Sequence, residues 1–194
     1  MEATPTEQLT IDDYVRLYDL EGPFEIINGE RIKRMPPVAI HTYMIRALFR
    51  ILDAYCQKNG LGEVFAEMAF VLSYSSNWVS GSRIPDLMFI AADRWQAYTS
   101  ADPNWKQKPL VIVPDVAVEV VSQNDLYTDV QNKVEIYQQD GVRVVWVVDP
   151  MRKRVEVVTG DSRVTLTEAD TLSGGEVLPG LAVPVSDIFN ETSS

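Results

Sequence analysis

Pro114-Asp115-Val116-Ala117-Val118-Glu119-Val120-Val121-Ser122, followed after one helix-length segment by Val142-Arg143-Val144-Val145-Trp146-Val147-Val148-Asp149, is the stretch whose reading decides the fold. Residues 116–121, VAVEVV, form a short apolar run bounded by turn residues. That is the pattern of a strand covered on both faces. Residues 126–139, LYTDVQNKVEIYQQ, carry Val130, Val134 and Tyr137 at helical spacing. Gly141 stands where a helix C-terminus favours glycine. Residues 142–148 read as the next strand, stopped by Asp149-Pro150. A strand, helix and strand of this length make a right-handed crossover between parallel neighbours. Glu119 lies in the middle of the first strand. A buried carboxylate is costly unless it is paired, hydrogen-bonded or bound to a metal.

Working outward on the N-terminal side, residues 83–91, RIPDLMFIA, contain a strand that starts near Pro85-Asp86, since proline is tolerated at a first strand position. Residues 63–74, EVFAEMAFVLSY, read as one strand, and 75–82, SSNWVSGS, as a loop or hairpin tip. Residues 40–58 carry Tyr43, Ala47, Leu48, Ile51, Leu52 and Tyr55 at helical spacing, with Gly60 as the stop. Residues 24–34, FEIINGERIKR, read as a hairpin turning at Asn28-Gly29. Residues 10–20 read as a short helix capped by Thr10, with Asp12 and Asp13 at its positive end. Residues 92–108 read as a surface loop with one helical turn at most. After the crossover, 153–168 alternate as a hairpin around Gly160-Asp161. The end, LSGGEVLPGLAVPVSDIF, has two glycine turns and a short segment that folds back, and 190–194 form a loose tail.

A chain of 194 residues suits one domain with a full core. Its longest apolar runs are far too short for a membrane span. The polar, acidic start, MEATPTEQLT, has the character of neither a signal nor a transit peptide. Cys56 is the single cysteine. No intrachain disulfide can form, and a reducing, cytoplasmic setting is expected. Lys and Arg total 17 against 28 Asp and Glu, a net charge of −11. That balance argues against broad adhesion to nucleic acid, although RIKR (31–34) and RKR (152–154) are dense basic clusters.

Three residues suggest chemistry: Asp86 after a proline at a strand start, Glu119 inside an apolar strand, and Lys133 on the helix that follows. Two carboxylates on neighbouring strands suit one hard divalent cation, Mg²⁺ or Mn²⁺. A lysine beside them suits stabilisation of developing charge. The combination fits phosphodiester hydrolysis, but on spacing alone the signal is weak. Asp149 and Asp125 read as turn formers, Trp146 and Tyr137 as core, and Cys56 as an inert buried thiol.

The pieces FEIINGERI, Met-Pro-Pro followed by a His opening a helix, RIPDLMFI, PDVAVEVVSQND, KVEIYQQDGVRVVWVVDP and LPGLAVPVSDIF occur in this order. Together they resemble the Uma-two family of restriction-endonuclease-like proteins, DUF820, abundant in cyanobacteria. The likeness runs from about Tyr14 to Phe189. It implies membership of the PD-(D/E)XK nuclease superfamily. The expected fold is then a single α/β domain over 1–194, core about 14–189, with a mixed central sheet flanked by helices and N- and C-terminal β-hairpins. The expected function is a Mg²⁺-dependent endonuclease acting on nucleic acid, DNA above all. Pro85-Asp86 matches the PD element and Glu119 the acidic position. Where the superfamily pattern wants lysine stands Val121, and Lys133 matches the lysine that this family is thought to take from the next helix.

The same resemblance implies an additional early acidic ligand, which Glu25 or Glu30 would supply. Ser122 and Gln123 close the strand beside Glu119 and are candidates to line the site by position, as is His41, the single histidine, whose other reading is a cap or packed residue. Phosphates would be gathered by Arg31, Lys33, Arg34 and Arg83, with Lys106 and Lys108 in reserve. A homodimer is expected because cutting both strands of a duplex needs two sites. The competing expectation is a non-catalytic binding or assembly module on the same fold. It draws on the acidic balance and on Val121. A hydrolase of smaller phosphoesters is a third.

Overall fold

The computed structural model describes residues 9–73, 75, 77–123 and 125–190. Of the loose tail expected at 190–194, Asn190 is instead the last residue of the C-terminal helix, and 191–194 lie outside the described residues. The element order is β1 (Leu9–Thr10), α1 (Ile11–Glu21), β2 (Phe24–Ile27), β3 (Glu30–Lys33), α2 (Ala39–Asn59), β4 (Gly62–Ala66), β5 (Phe70–Ser73), β6 (Trp78–Arg83) and β7 (Leu87–Ala91). Then come α3 (Ala92–Ala101), β8 (Val116–Val120), α4 (Tyr127–Asp140), β9 (Val144–Asp149), β10 (Arg154–Thr159), β11 (Ser162–Leu166), β12 (Thr171–Ser173), β13 (Ala182–Pro184) and α5 (Val185–Asn190).

The chain divides into two compact units. The first comprises residues up to Pro36 with Ala69–Ile84 and Ala97–Val113, and the second Pro37–Met68, Pro85–Gln96 and the chain from Pro114 on. In the first unit β6 is central to a five-stranded sheet and pairs with β1, β2 and β5, while β3 pairs with β2. Its core is Leu9, Tyr14, Phe24, Ile26 and Val71, under the Tyr14–Leu17–Tyr18 face of α1. Thr10 caps α1 through a reciprocal box with Asp13.

The second unit holds a six-stranded sheet in the order β11-β10-β9-β8-β7-β4. β8 and β9 are parallel, Val118 beside Trp146, as the crossover through α4 requires. β7 runs antiparallel to β8. Side chains alternate across a strand. Val116, Val118 and Val120 join the core built with Met44, Leu48 and Leu52 of α2 and Ile188 and Phe189 of α5. Glu119 therefore faces the other way, toward α4. Val130, Val134 and Tyr137 are the buried residues of α4, and Gly141 stops it in the left-handed region. Among the described residues, no helix is long and apolar enough to cross a membrane.

Three stretches differ from expectation. Residues 63–74 are two strands, not one: β4 and β5 belong to different sheets. The break falls at Glu67, which takes φ +50, a region no strand residue occupies. Most of 75–82, expected as a loop or hairpin tip, is β6, which takes all of 78–82; Ser75 and Asn77 remain at the tip, and Tyr74 and Ser76 lie outside the described residues. Residues 92–108 hold the ten-residue helix α3 and a short 3₁₀ turn at Trp105–Gln107. α3 has no fully buried residue and so shows no apolar stripe in sequence. It is held by individual contacts: Trp95 packs on Phe65 with ring centres 5.2 Å apart, and the Tyr98 hydroxyl accepts the Val111 N–H at 3.1 Å.

Candidate functional site

The antiparallel register of β7 on β8 sets Leu87 opposite Val118 and Met88 opposite Ala117. The pairing stops there, one residue short of Asp86 and Glu119, and the next N–H of β8 facing that edge, that of Val120, goes to the Asp86 carboxylate instead. Both carboxylates are buried, with 1% of Asp86 and 5% of Glu119 exposed.

Asp86 stands just ahead of β7, after a proline that has no N–H to give the ladder. Its Oδ2 accepts the Val120 N–H at 2.7 Å and lies 3.1 Å from Nε2 of His41, in the first turn of α2. Its carbonyl accepts the Glu67 N–H at 3.0 Å, so the turn that breaks β4 from β5 also holds Asp86.

Two side chains of α4 hold the Glu119 carboxylate. Oε1 accepts the Tyr137 hydroxyl at 2.5 Å, and Oε2 lies 2.7 Å from Nζ of Lys133. Lys133 and Tyr137 are four residues apart, so they share one edge of the helix. A shallow cavity opens beside this pair, lined by Glu119, Val120, Val121, Asp125, Asp129, Val130 and Lys133. Val121 continues the β8–β9 pairing by giving its N–H to Val148 O at 2.8 Å.

The remaining candidates are scattered. Glu25 is buried in the first unit, where one carboxylate oxygen accepts the Ile84 N–H at 2.9 Å. Glu30 is exposed at the start of β3. Ser122 gives its N–H to Asp125 Oδ2 at 2.8 Å, and Gln123 is exposed with its amide nitrogen 3.4 Å from Met151 Sδ. Arg31 and Lys33 lean on Glu21, at 3.1 and 3.7 Å, and Arg31 also stands over the Phe24 ring. Arg34 is half-buried, its N–H given to Pro23 O. Arg83 is buried, and its Nη1 donates to the carbonyls of Ile26 and Ser82 at 2.6 and 2.9 Å. Lys106 stands over the Trp105 ring, and Lys108 pairs with Asp102.

Tyr137 is the residue that sequence reasoning assigned to the core alone. Its ring is in the core, but its hydroxyl is on Glu119. A buried phenol needs a hydrogen-bond partner, and Tyr137 is the polar member of an otherwise valine stripe. That was the available signal. A second Pro-Asp pair, Pro114-Asp115, behaves differently. Asp115 accepts the Ala91 N–H and pairs with Arg94, both at 2.9 Å, and lies 3.5 Å from Arg143. It sits at the other end of β8 and ties sheet to loop.

The donor set of Asp86 and Glu119 fits Mg²⁺ or Mn²⁺. Mg²⁺ is usually held by one or two carboxylates, with water and substrate phosphate completing the shell. Among the described residues no group of three or more His, Cys, Asp or Glu side chains is arranged to hold a metal. Such a cation would therefore depend on this pair.

The family model "Uma2: Putative restriction endonuclease" matches residues 11–186. Among solved structures, the chain is similar to a crystal structure described as a putative nuclease belonging to DUF820 from Anabaena variabilis. That likeness has 18% identity, covers 94% of this chain and 98% of the other, and gives a TM-score of 0.75. At this identity it is a likeness of fold. No curated protein matches the chain.

Proposed function

The chain belongs to the Uma2 family of putative restriction endonucleases, and from that premise we propose that it is a divalent-cation-dependent endonuclease hydrolysing phosphodiester bonds of DNA. The observation that supports this reading is that the β7–β8 pairing ends one residue from both Asp86 and Glu119, with Asp86 on the Val120 N–H and Lys133 on the Glu119 carboxylate. Asp86 and Glu119 would hold Mg²⁺ or Mn²⁺. When bound, such a cation supplies Lewis acidity toward phosphate and lowers the pKa of its water. The Val120 N–H and His41 fix the Asp86 carboxylate, so that oxygen does not reorganise when substrate arrives. Lys133, at the cavity lip, stabilises negative charge that develops on the phosphate. Arg31, Lys33 and Arg34 contact the nucleic-acid backbone, exchanging Glu21 for phosphate in the case of Arg31 and Lys33. A homodimer would bring two such sites to a duplex.

The test is incubation of supercoiled plasmid and single-stranded DNA with Mg²⁺ or Mn²⁺, beside Asp86→Asn. Nicking that needs the metal and is lost in the variant is the expected result. Equal nicking by both proteins, or none with either metal, overturns the reading. The second outcome leaves the non-catalytic module, which the net charge of −11 and the apolar Val121 favour.

A further inference from the structure

We propose that Tyr137 is a positioning residue for Glu119 and that Lys133 is its displaceable counter-ion, so that a divalent cation and the Lys133 ammonium compete for one carboxylate oxygen. The inference rests on the metal-binding reading above and deepens it.

The two groups on α4 hold Glu119 in different ways. Tyr137 is 1% exposed and belongs with Val130 and Val134 to the buried stripe of α4. Its hydroxyl meets Oε1 at 2.5 Å, a short, charge-assisted contact. Such a donor cannot leave without unpacking the core. It orients the carboxylate whether or not a cation is present, in the way that hydrogen-bonded outer groups orient metal ligands. Lys133 has the opposite character. Its side chain is 29% exposed and approaches Oε2 from the cavity side. A lysine ammonium is a mobile point charge on a flexible stem.

Lys133 also has somewhere to go. Asp129, one turn earlier on α4, lines the same cavity. Residues four apart on a helix are neighbours, with Cβ atoms about 5–6 Å apart. The ammonium can therefore move from Glu119 to Asp129, or to an incoming phosphate, by rotating its own side chain. Without a cation it neutralises Glu119 and spares the cost of an unpaired buried charge. When a cation takes Oε2, the lysine is released on the side from which substrate enters. One residue thus keeps the empty site folded and is delivered to the phosphate once the site is filled.

The two roles predict opposite effects on metal affinity, which general structural damage cannot produce. The test is calorimetric titration of the full chain with Mn²⁺, without nucleic acid, for wild type, Tyr137→Phe and Lys133→Met, with the metal-free melting temperature of each. Tyr137→Phe is expected to weaken Mn²⁺ binding about tenfold or more. Lys133→Met is expected to tighten it roughly fivefold or more, because a positive charge leaves the site. Unchanged affinity in Tyr137→Phe, or equal or weaker affinity in Lys133→Met, overturns the inference and leaves the endonuclease reading standing. A wild type that binds no Mn²⁺ overturns both. If Tyr137→Phe does not fold, the sign of the change in Lys133→Met decides alone.

Discussion

Asp86 and Asp115 both follow a proline and both are buried, yet they serve different ends. Asp115 is enclosed by a backbone N–H and two arginines, whereas Asp86 meets a backbone N–H and a histidine. Replacing Asp86 by alanine would orphan the buried Val120 N–H, at a cost of about 1–3 kcal/mol. Asp86→Asn and Glu119→Gln keep an acceptor and remove only charge. Both are expected to fold, with melting curves within a few degrees of wild type, and to lose cleavage by about 10²-fold or more. A variant that keeps cleavage removes its residue from the site. Cys56 is a simpler case. Burial, with Asp53 and Glu63 adding to it, pushes its thiol from an ordinary 9.0 to about 11. In the native protein at pH 8 it is expected to react with a thiol reagent much more slowly than in denaturant. Because the folded value is the raised one, this thiol's contribution to stability is complete below pH 9. It is lost as pH rises through about 11. Equal reaction rates in native and denatured protein would contradict its inert character.

At the scale of elements, two glycines show how differently one residue type is required. Gly62, at the start of β4, has φ +145, and a Cβ there would stand 2.1 Å from the Ile90 carbonyl oxygen. Gly141, after α4, has φ +97 but open space around it. Gly62→Ala must push β4 off β7 and is expected to cost about 3 kcal/mol, as severe overpacking does. Gly141→Ala meets only the backbone penalty of the left-handed region, about 1–2 kcal/mol. Chemical denaturation of the two variants measures both, and equal losses would show that the close approach at Gly62 relaxes freely. α4, β8 and the turn ahead of β7 carry the proposed site, because α4 supplies Lys133 and Tyr137, β8 supplies Glu119 and the turn supplies Asp86.

At the scale of the whole molecule, the charge balance of −11 restrains how nucleic acid can be held. Arg31, Lys33 and Arg34 are the proposed backbone contacts. Each phosphate neutralised contributes about −0.9 to the slope of log affinity against log salt. With Mg²⁺ held constant, the slope for duplex DNA is therefore expected to be no steeper than about −4 per protomer bound, Lys133 included. A slope near about −8 per protomer would mean an extended basic surface and a different mode of binding.

The sequence by itself determined the crossover, the hairpins at 24–33 and 154–166 and the helix stops, because these depend on local periodicity and turn chemistry. Val130, Val134 and Tyr137 were legible as a buried stripe for that reason, and Glu119 as a carboxylate needing a partner. Tertiary structure decided what periodicity cannot carry. Residues 63–74 split between two sheets at Glu67 because strand propensity does not specify which sheet a strand joins. α3 stayed hidden because it buries no stripe. The meeting of Asp86 with His41 and the Val120 N–H, and of Glu119 with both Lys133 and Tyr137, depends on strand pairing and on the direction in which α4 returns along the sheet. Those are fixed by packing between segments far apart in sequence.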